Sequence, residues 1–148
     1  HHFRDKADLF EAVCRDIAAE AVEAIRAAAA GEMTAFDRLV AGSLAWFDAM
    51  MRPDARRILV IDAPAVLGFE RWDAIDRENG FRLLLEGVRA AHREGELCFD
   101  GPADALAVLL NGAMNGAVIH AGAVDGSDPV VLRAGLVSLL AGLRPARA

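Results

Sequence analysis

Apolar residues recur at helical spacing along almost the whole chain. Leu9, Phe10, Val13, Ile17, Ala21 and Ile25 trace one face of a first helix. Asp5 suits its N-cap, Asp8 its first turn, and Gly31 the left-handed position after its end. A second helix starts at Thr34, which with Asp37 resembles a capping box, and stops before Pro53. Its stripe is Phe36, Leu39, Val40, Ser43, Leu44, Phe47, Met50 and Met51. Asp54 opens a short third helix carrying Ile58, Leu59 and Ile61, closed by Pro64 and Gly68.

A long fourth helix is expected over residues 69–94, with Gly95 after it. Its stripe is broken: Phe69, Trp72 and Ile75 share one side, whereas Phe81, Leu84, Leu85 and Val88 lie well round the cylinder. Asn79 and Gly80 mark the change, so a bend or a new packing partner is expected there. Gly101 and Pro102 begin the fifth helix, and Asp125 with Gly126 turns the chain. Asp128 and Pro129 open the last helix, which runs through Leu143 with Arg144 at its end. No segment alternates as a strand would. The pattern predicts an all-α bundle of about six helices.

The fifth helix changes that picture most. Residues 105–124 contain no charged side chain, a length that approaches a membrane span. Asn111, Asn115 and His120 are costly in lipid, and basic flanks are missing, so a membrane partner is not expected. An uncharged helix in water must instead be covered on two sides. One side holds Leu106, Leu110, Ala113, Met114 and Ala117; the other holds Val108, Leu109, Gly112, Gly116 and Ile119. A domain of 148 residues covers one face, and a second copy of the chain most simply covers the other.

Charge and chemistry then exclude several classes. The net charge of −6 is wrong for a body that grips a phosphate backbone by itself. Cys14 and Cys98 lack CxxC spacing and a neighbouring His, and two free thiols fit a reducing cytoplasm. There is no GxSxG, no phosphate-cradling glycine loop and no HExxH. His92 and Glu96 are separated by the helix-breaking Gly95, and Asp73, Asp76 and Arg77 read as a solvated face. No catalytic residue, metal site or cofactor is expected, and the chain does not read as an enzyme.

The most specific segment is residues 1–13, HHFRDKADLFEAV. His2, Phe3, Lys6, Leu9 and Phe10 match in order and spacing the end of the recognition helix, and the helix after it, of TetR/AcrR-like transcriptional regulators. The stretch Asp62-Ala63-Pro64-Ala65-Val66-Leu67-Gly68, followed by Trp72 and Asp76, resembles the middle of the C-terminal domain in one branch of that family. The ending Leu139 to Arg144 is also similar to the family. On this resemblance residues 1–5 would finish the DNA-recognition helix and turn, and residues 6–148 would form the effector-binding and dimerisation domain. The rest of the helix-turn-helix head would lie outside this sequence.

The resemblance implies a homodimer with C2 symmetry, built from the last two helices of each copy. Its expected interface is Val108, Leu109, Gly112, Gly116, Ile119, His120, Leu136 and Leu140. It also implies operator DNA as a partner, with His2 and Lys6 touching phosphates, and a small, mostly hydrophobic effector that changes operator affinity, the protein acting as a repressor. Trp46, Phe47, Met50, Phe69, Trp72, Phe81 and Met114 gather the large apolar side chains where a pocket is expected. Asn111 and Asn115 would give it polar groups, and these amides either face a ligand or water or pair across the dimer. The alternative is a freestanding helical module that binds a small molecule or dimerises without DNA.

Overall fold

The computed structural model describes residues 2–32, 34–123 and 126–146. Among these the helices are α1 (Lys6–Ala29), α2 (Ala35–Met50), α3 (Pro53–Ala55), a π-helical stretch (Arg56–Asp62), α4 (Ala63–Leu67), α5 (Phe69–Glu78), α6 (Gly80–Arg93), α7 (Ala103–His120) and α8 (Pro129–Ala141). No strand occurs among the described residues. The all-α expectation holds, with more helices than the pattern suggested because two expected segments are each divided.

The caps set the helix starts. Asp5 accepts from the Asp8 amide at 2.8 Å, Thr34 Oγ1 from Asp37 at 3.0 Å, and Asp128 from Val130 at 2.8 Å. The start of α2 is satisfied a second time from the loop after α6. Glu94 accepts from the Ala35 amide at 3.1 Å and Glu96 from the Phe36 amide at 3.2 Å. The hydrogen bond with Glu96, and then the Ala35 amide, hold the Glu94 carboxyl below its ordinary range.

Some ends differ from expectation. Gly31 is not left-handed; α1 closes at Ala30 in a right-handed conformation. The fifth expected helix ends as α7 at His120, because Gly122 takes φ +73° just after the Ala121 cap. The expected turn residue Asp125 lies outside the described residues, as does His1.

The third expected helix is not closed by Pro64. Proline is the second residue of α4, which continues directly from the π-helical stretch, so the chain stays helical through it. Side-chain hydrogen bonds tie this stretch to α5 and α7. Trp72 Nε1 donates to the Leu59 carbonyl at 2.9 Å, and Arg56 donates to the Val118 and Ile119 carbonyls at 2.7 and 2.6 Å. Arg56 thereby places a cation on the last carbonyls of α7, the negative end of that helix.

The fourth expected helix breaks at Asn79, where φ −126° and ψ −103° leave the helical region. The Asn79 side chain donates back to the Ile75 carbonyl at 2.7 Å, replacing a backbone donor lost at the break. Each half then finds its own partners. Ile75 joins Cys14, Ala18, Ala63 and Leu67 in a small cluster, while Leu84 and Val88 enter the main core with Phe47, Met50, Val118 and Leu140.

Helix α1 lies along α2, α2 packs on α6, α6 on α7, and α8 docks on α2. Two ion pairs fix that last contact, Arg133–Asp48 at 2.9 Å and Arg144–Asp37 at 3.3 Å. Arg144 also stacks over the Phe36 ring. The side of α8 that faces the core carries Leu136 and Leu140, both buried. Among the described residues, no helix is long and apolar enough to cross a membrane.

Candidate functional site

Four helices leave a space between them of about 260 Å³. Helix α2 lines it with Leu39, Gly42, Ser43 and Trp46, which share one face at intervals of three and four residues. Ile25 and Ala29 come from α1, Gly80, Leu83, Leu84, Gly87 and Ala90 from α6, and Asn111 and Met114 from α7. Glycines on its wall let neighbouring side chains pack closely around it. A Cβ at Gly80 would sit 3.2 Å from Trp46 Nε1, and one at Gly42 would sit 3.1 Å from Ile25 Cγ2.

The wall is mainly apolar, with two polar groups of distinct character. Ser43 is only 4% exposed, and its hydroxyl has no hydrogen-bond partner. Asn111 donates to Asp76 Oδ2 at 2.9 Å, so one of its two amide N–H groups is committed, and its oxygen and second N–H are left over. Burial pushes the Asp76 carboxyl above its ordinary range, partly offset by the Asn111 hydrogen bond. Charged groups stand at the rim: Arg26 and Glu86 are exposed, and Arg38 pairs with Glu94 at 3.8 Å.

Behind Trp46 lies a recess of about 30 Å³, the size of one water molecule. Met50, Trp72, Asp76 and Asn115 line it, and Asn115 donates to the Asn111 carbonyl at 3.0 Å. A third depression of about 350 Å³ spans α1, α2 and α3. It is larger but ionic, and its charges pair among themselves or with α8: Arg52–Glu20 at 3.5 Å, Arg52–Asp54 at 3.4 Å and Arg133–Asp48 at 2.9 Å. The four-helix cavity, with its orphaned buried hydroxyl, is the better candidate for a ligand.

The residues expected around a pocket are thus divided. Trp46, Asn111 and Met114 line the cavity; Met50, Trp72 and Asn115 line the recess behind it, which Trp46 also borders. Phe47 is sealed in the core, Phe81 packs on that core, and Phe69 is 67% exposed on α5; none of the three lines the cavity. Ser43 and the small residues Gly42, Gly80 and Gly87 were not anticipated as pocket residues.

The interface residues divide in the same way. Val108, Leu109, Gly112, Ile119 and His120 are exposed on α7, and Gly116 is half-buried with open space beyond it. Leu136 and Leu140 point inward and are corrected to core positions of the same chain, because α8 uses that side to dock on α2. The uncovered side of α8 instead carries Val130, Val131, Val137 and Leu139, with Gly135 among them. Ala113 also belongs to the exposed side of α7. His2 and Lys6 are exposed, Lys6 being the first residue of α1. Among the described residues no three His, Cys, Asp or Glu side chains come together as a metal site.

Residues 36–143 match the family described as tetracyclin repressor-like, C-terminal domain. The chain belongs to that family. The match spans α2 from Phe36 through α8, so the uncovered helix faces and the α2, α6 and α7 walls of the cavity lie within it, while the α1 wall precedes it.

The fold of this tetracyclin repressor-like chain is shared with solved structures. A bacterial regulatory protein of the tetR family from Rhodococcus RHA1 superposes with a TM-score of 0.75 at 21% identity, covering 99% of this chain and 78% of that one. A protein of unknown function from Rhodococcus sp. RHA1 gives a TM-score of 0.72 at 20% identity, covering 97% and 76%. Among curated proteins none is significantly similar in sequence.

Proposed function

We propose that this chain is the effector-binding and dimerising part of a DNA-binding transcriptional repressor, whose operator affinity is changed by a small, mostly hydrophobic molecule in the four-helix cavity. The observation that carries the reading is the placement of that cavity. It is walled on one side by α1, which follows directly on the residues resembling a DNA-recognition helix, and on another by α7, whose outer face is uncovered. A ligand there touches the helix nearest the DNA and the helix nearest a partner subunit.

Two copies pair through the outer faces of α7 and α8. These faces are apolar and uncharged, and the glycines on them leave room for close approach: a Cβ at Gly112, Gly116 or Gly135 would meet nothing within 4 Å. His2 and Lys6 contact backbone phosphates beside the operator, a role that supplies position rather than sequence readout. The domain acts by binding and not by catalysis, in the cytoplasm.

The test is fluorescence anisotropy of the intact gene product on promoter DNA adjacent to its own gene, with and without a cavity ligand. Saturable binding that a cavity ligand weakens is expected. Binding that ignores every ligand shown to occupy the cavity would refute the coupling. A dimer that fills its cavity but never engages DNA would be the freestanding module instead.

A further inference from the structure

The Ser43 hydroxyl is the group in this protein most in need of explanation. A helical serine ordinarily turns its hydroxyl to the carbonyl four residues back or out to solvent. Ser43 does neither: it is 96% removed from solvent by its 4% exposure, makes no hydrogen bond, and lies on the wall of the 260 Å³ cavity. A buried hydroxyl without a partner is a cost that an apolar alanine of similar size would avoid.

The rest of the wall restricts what can meet it. One N–H of the Asn111 amide is held by Asp76, so this residue has its oxygen and its second N–H left to offer. The charged side chains that border the cavity stand toward solvent: Arg26 and Glu86 are exposed, and Arg38 is engaged with Glu94 and with the Glu32 carbonyl. An ion drawn inside would lose its water without gaining a counter-charge. Filled to the density of a protein interior, the space takes roughly ten to twelve heavy atoms.

Resting on the reading of this cavity as the ligand site, we propose that its ligand is an uncharged molecule of that size: an apolar body ending in one hydroxyl or comparable neutral donor–acceptor head, which pairs with Ser43 Oγ. An aliphatic alcohol or an alkylated phenol has this chemistry; a fatty acid anion or an alkylammonium does not.

Calorimetric titration with 1-octanol, sodium octanoate and octylammonium chloride at neutral pH tests the assignment on the wild-type chain, Ser43→Ala and the cavity-filling Gly87→Leu. Octanol should bind the wild type at least about tenfold more tightly than either ion. Ser43→Ala should weaken octanol about tenfold, the worth of one hydrogen bond in a dry site. Without ligand, Ser43→Ala should melt at or above the wild-type temperature, because only an unpaired hydroxyl is removed. Octanoate or octylammonium binding as well as octanol would overturn the proposal. So would unchanged octanol affinity in Ser43→Ala, or a lowered melting temperature showing that the hydroxyl has an internal partner. Failure of the cavity itself is read separately: octanol that does not bind the wild type, or that binds Gly87→Leu undiminished, removes the ligand site altogether. If Gly87→Leu does not fold, Leu83→Trp fills the same space.

Discussion

Leu109→Glu is the sharpest perturbation of the proposed dimer. Leu109 is 62% exposed in the single chain, so a glutamate there is solvated and the protomer should keep its helices. Burying a whole leucine side chain is worth about 1.5–3 kcal/mol, and the part still exposed would contribute about 1–2 kcal/mol on pairing. The mutant loses this and must also strip water from a carboxylate that meets an apolar face of Val108, Ile119, Val130 and Val131, where the one α8 cation, Arg133, is already paired with Asp48. A combined loss of about 3 kcal/mol per copy is a moderate estimate. Two-fold symmetry inserts it twice, giving about 6 kcal/mol and roughly a ten-thousandfold weaker dimer. Sedimentation velocity across the micromolar range should show a wild-type dimer and a Leu109→Glu monomer with unchanged far-ultraviolet circular dichroism. Leu9→Glu, a change of equal charge at an exposed α1 leucine, should leave the dimer intact. A wild-type chain that sediments as a monomer, or a Leu109→Glu chain that still dimerises, refutes the assignment of this face.

Three other outcomes are expected. In the monomeric Leu109→Glu background, Gly112→Ala should raise stability by about 1 kcal/mol through helix propensity, because its Cβ meets open space, whereas Gly80→Ala should gain nothing because its Cβ crowds Trp46 at 3.2 Å; equal urea midpoints for the two would contradict this account. Burial raises the Asp76 carboxyl, so the folded chain holds that proton more tightly than the unfolded chain, and stability should fall as pH rises from the ordinary carboxyl range through the raised folded value. Asp76→Asn should flatten that part of the urea-midpoint profile, and an unaltered slope would show that Asp76 does not titrate as described. Burial, with a smaller contribution from Glu11, pushes the Cys14 thiol up to about 11, so a thiol reagent at mildly alkaline pH should modify exposed Cys98 quickly and Cys14 only on unfolding; rapid modification of both refutes the sealed position of Cys14.

What could be read from the sequence follows from how local each feature is. Caps are local, and Asp5, Thr34 and Asp128 cap the helices they were expected to cap. The break at Asn79 is nearly local: the jump in the apolar stripe signalled it, and the glycine beside it admits Trp46. The π-helical stretch has no such signature, since it is held by Trp72 of α5 donating to its Leu59 carbonyl and by its own Arg56 donating to a carbonyl of α7. Large aromatics do not by themselves mark the pocket, since Trp46 borders it and Phe47, Phe69 and Phe81 do not. Its readable signals were Ser43 inside an apolar stripe and the glycines at 80 and 87, seven apart on one face of α6. Leu136 and Leu140 were misplaced for a related reason. Helix α8 is apolar nearly all round, so periodicity cannot say which side faces the core; only its docking on α2 decides that.

Helix α7 joins the two halves of the proposed function. Asn111 and Met114 look into the cavity, while Leu109 and Gly112, within one turn of them, lie on the uncovered side. A helix backbone is stiff across its width, so a ligand that displaces Asn111 cannot leave the outer face where it was. The same amide is tied to Asp76, one turn before the α5–α6 break, and the far end of α7 is tied by Arg56 to the π-helical stretch. The irregular backbone of this fold therefore gathers at the elements that must yield if α7 moves, while α2, capped from two sides at its start, forms the fixed wall. Ligand and partner subunit would be read by one rigid body, and by linkage each must change the affinity of the other by the same factor.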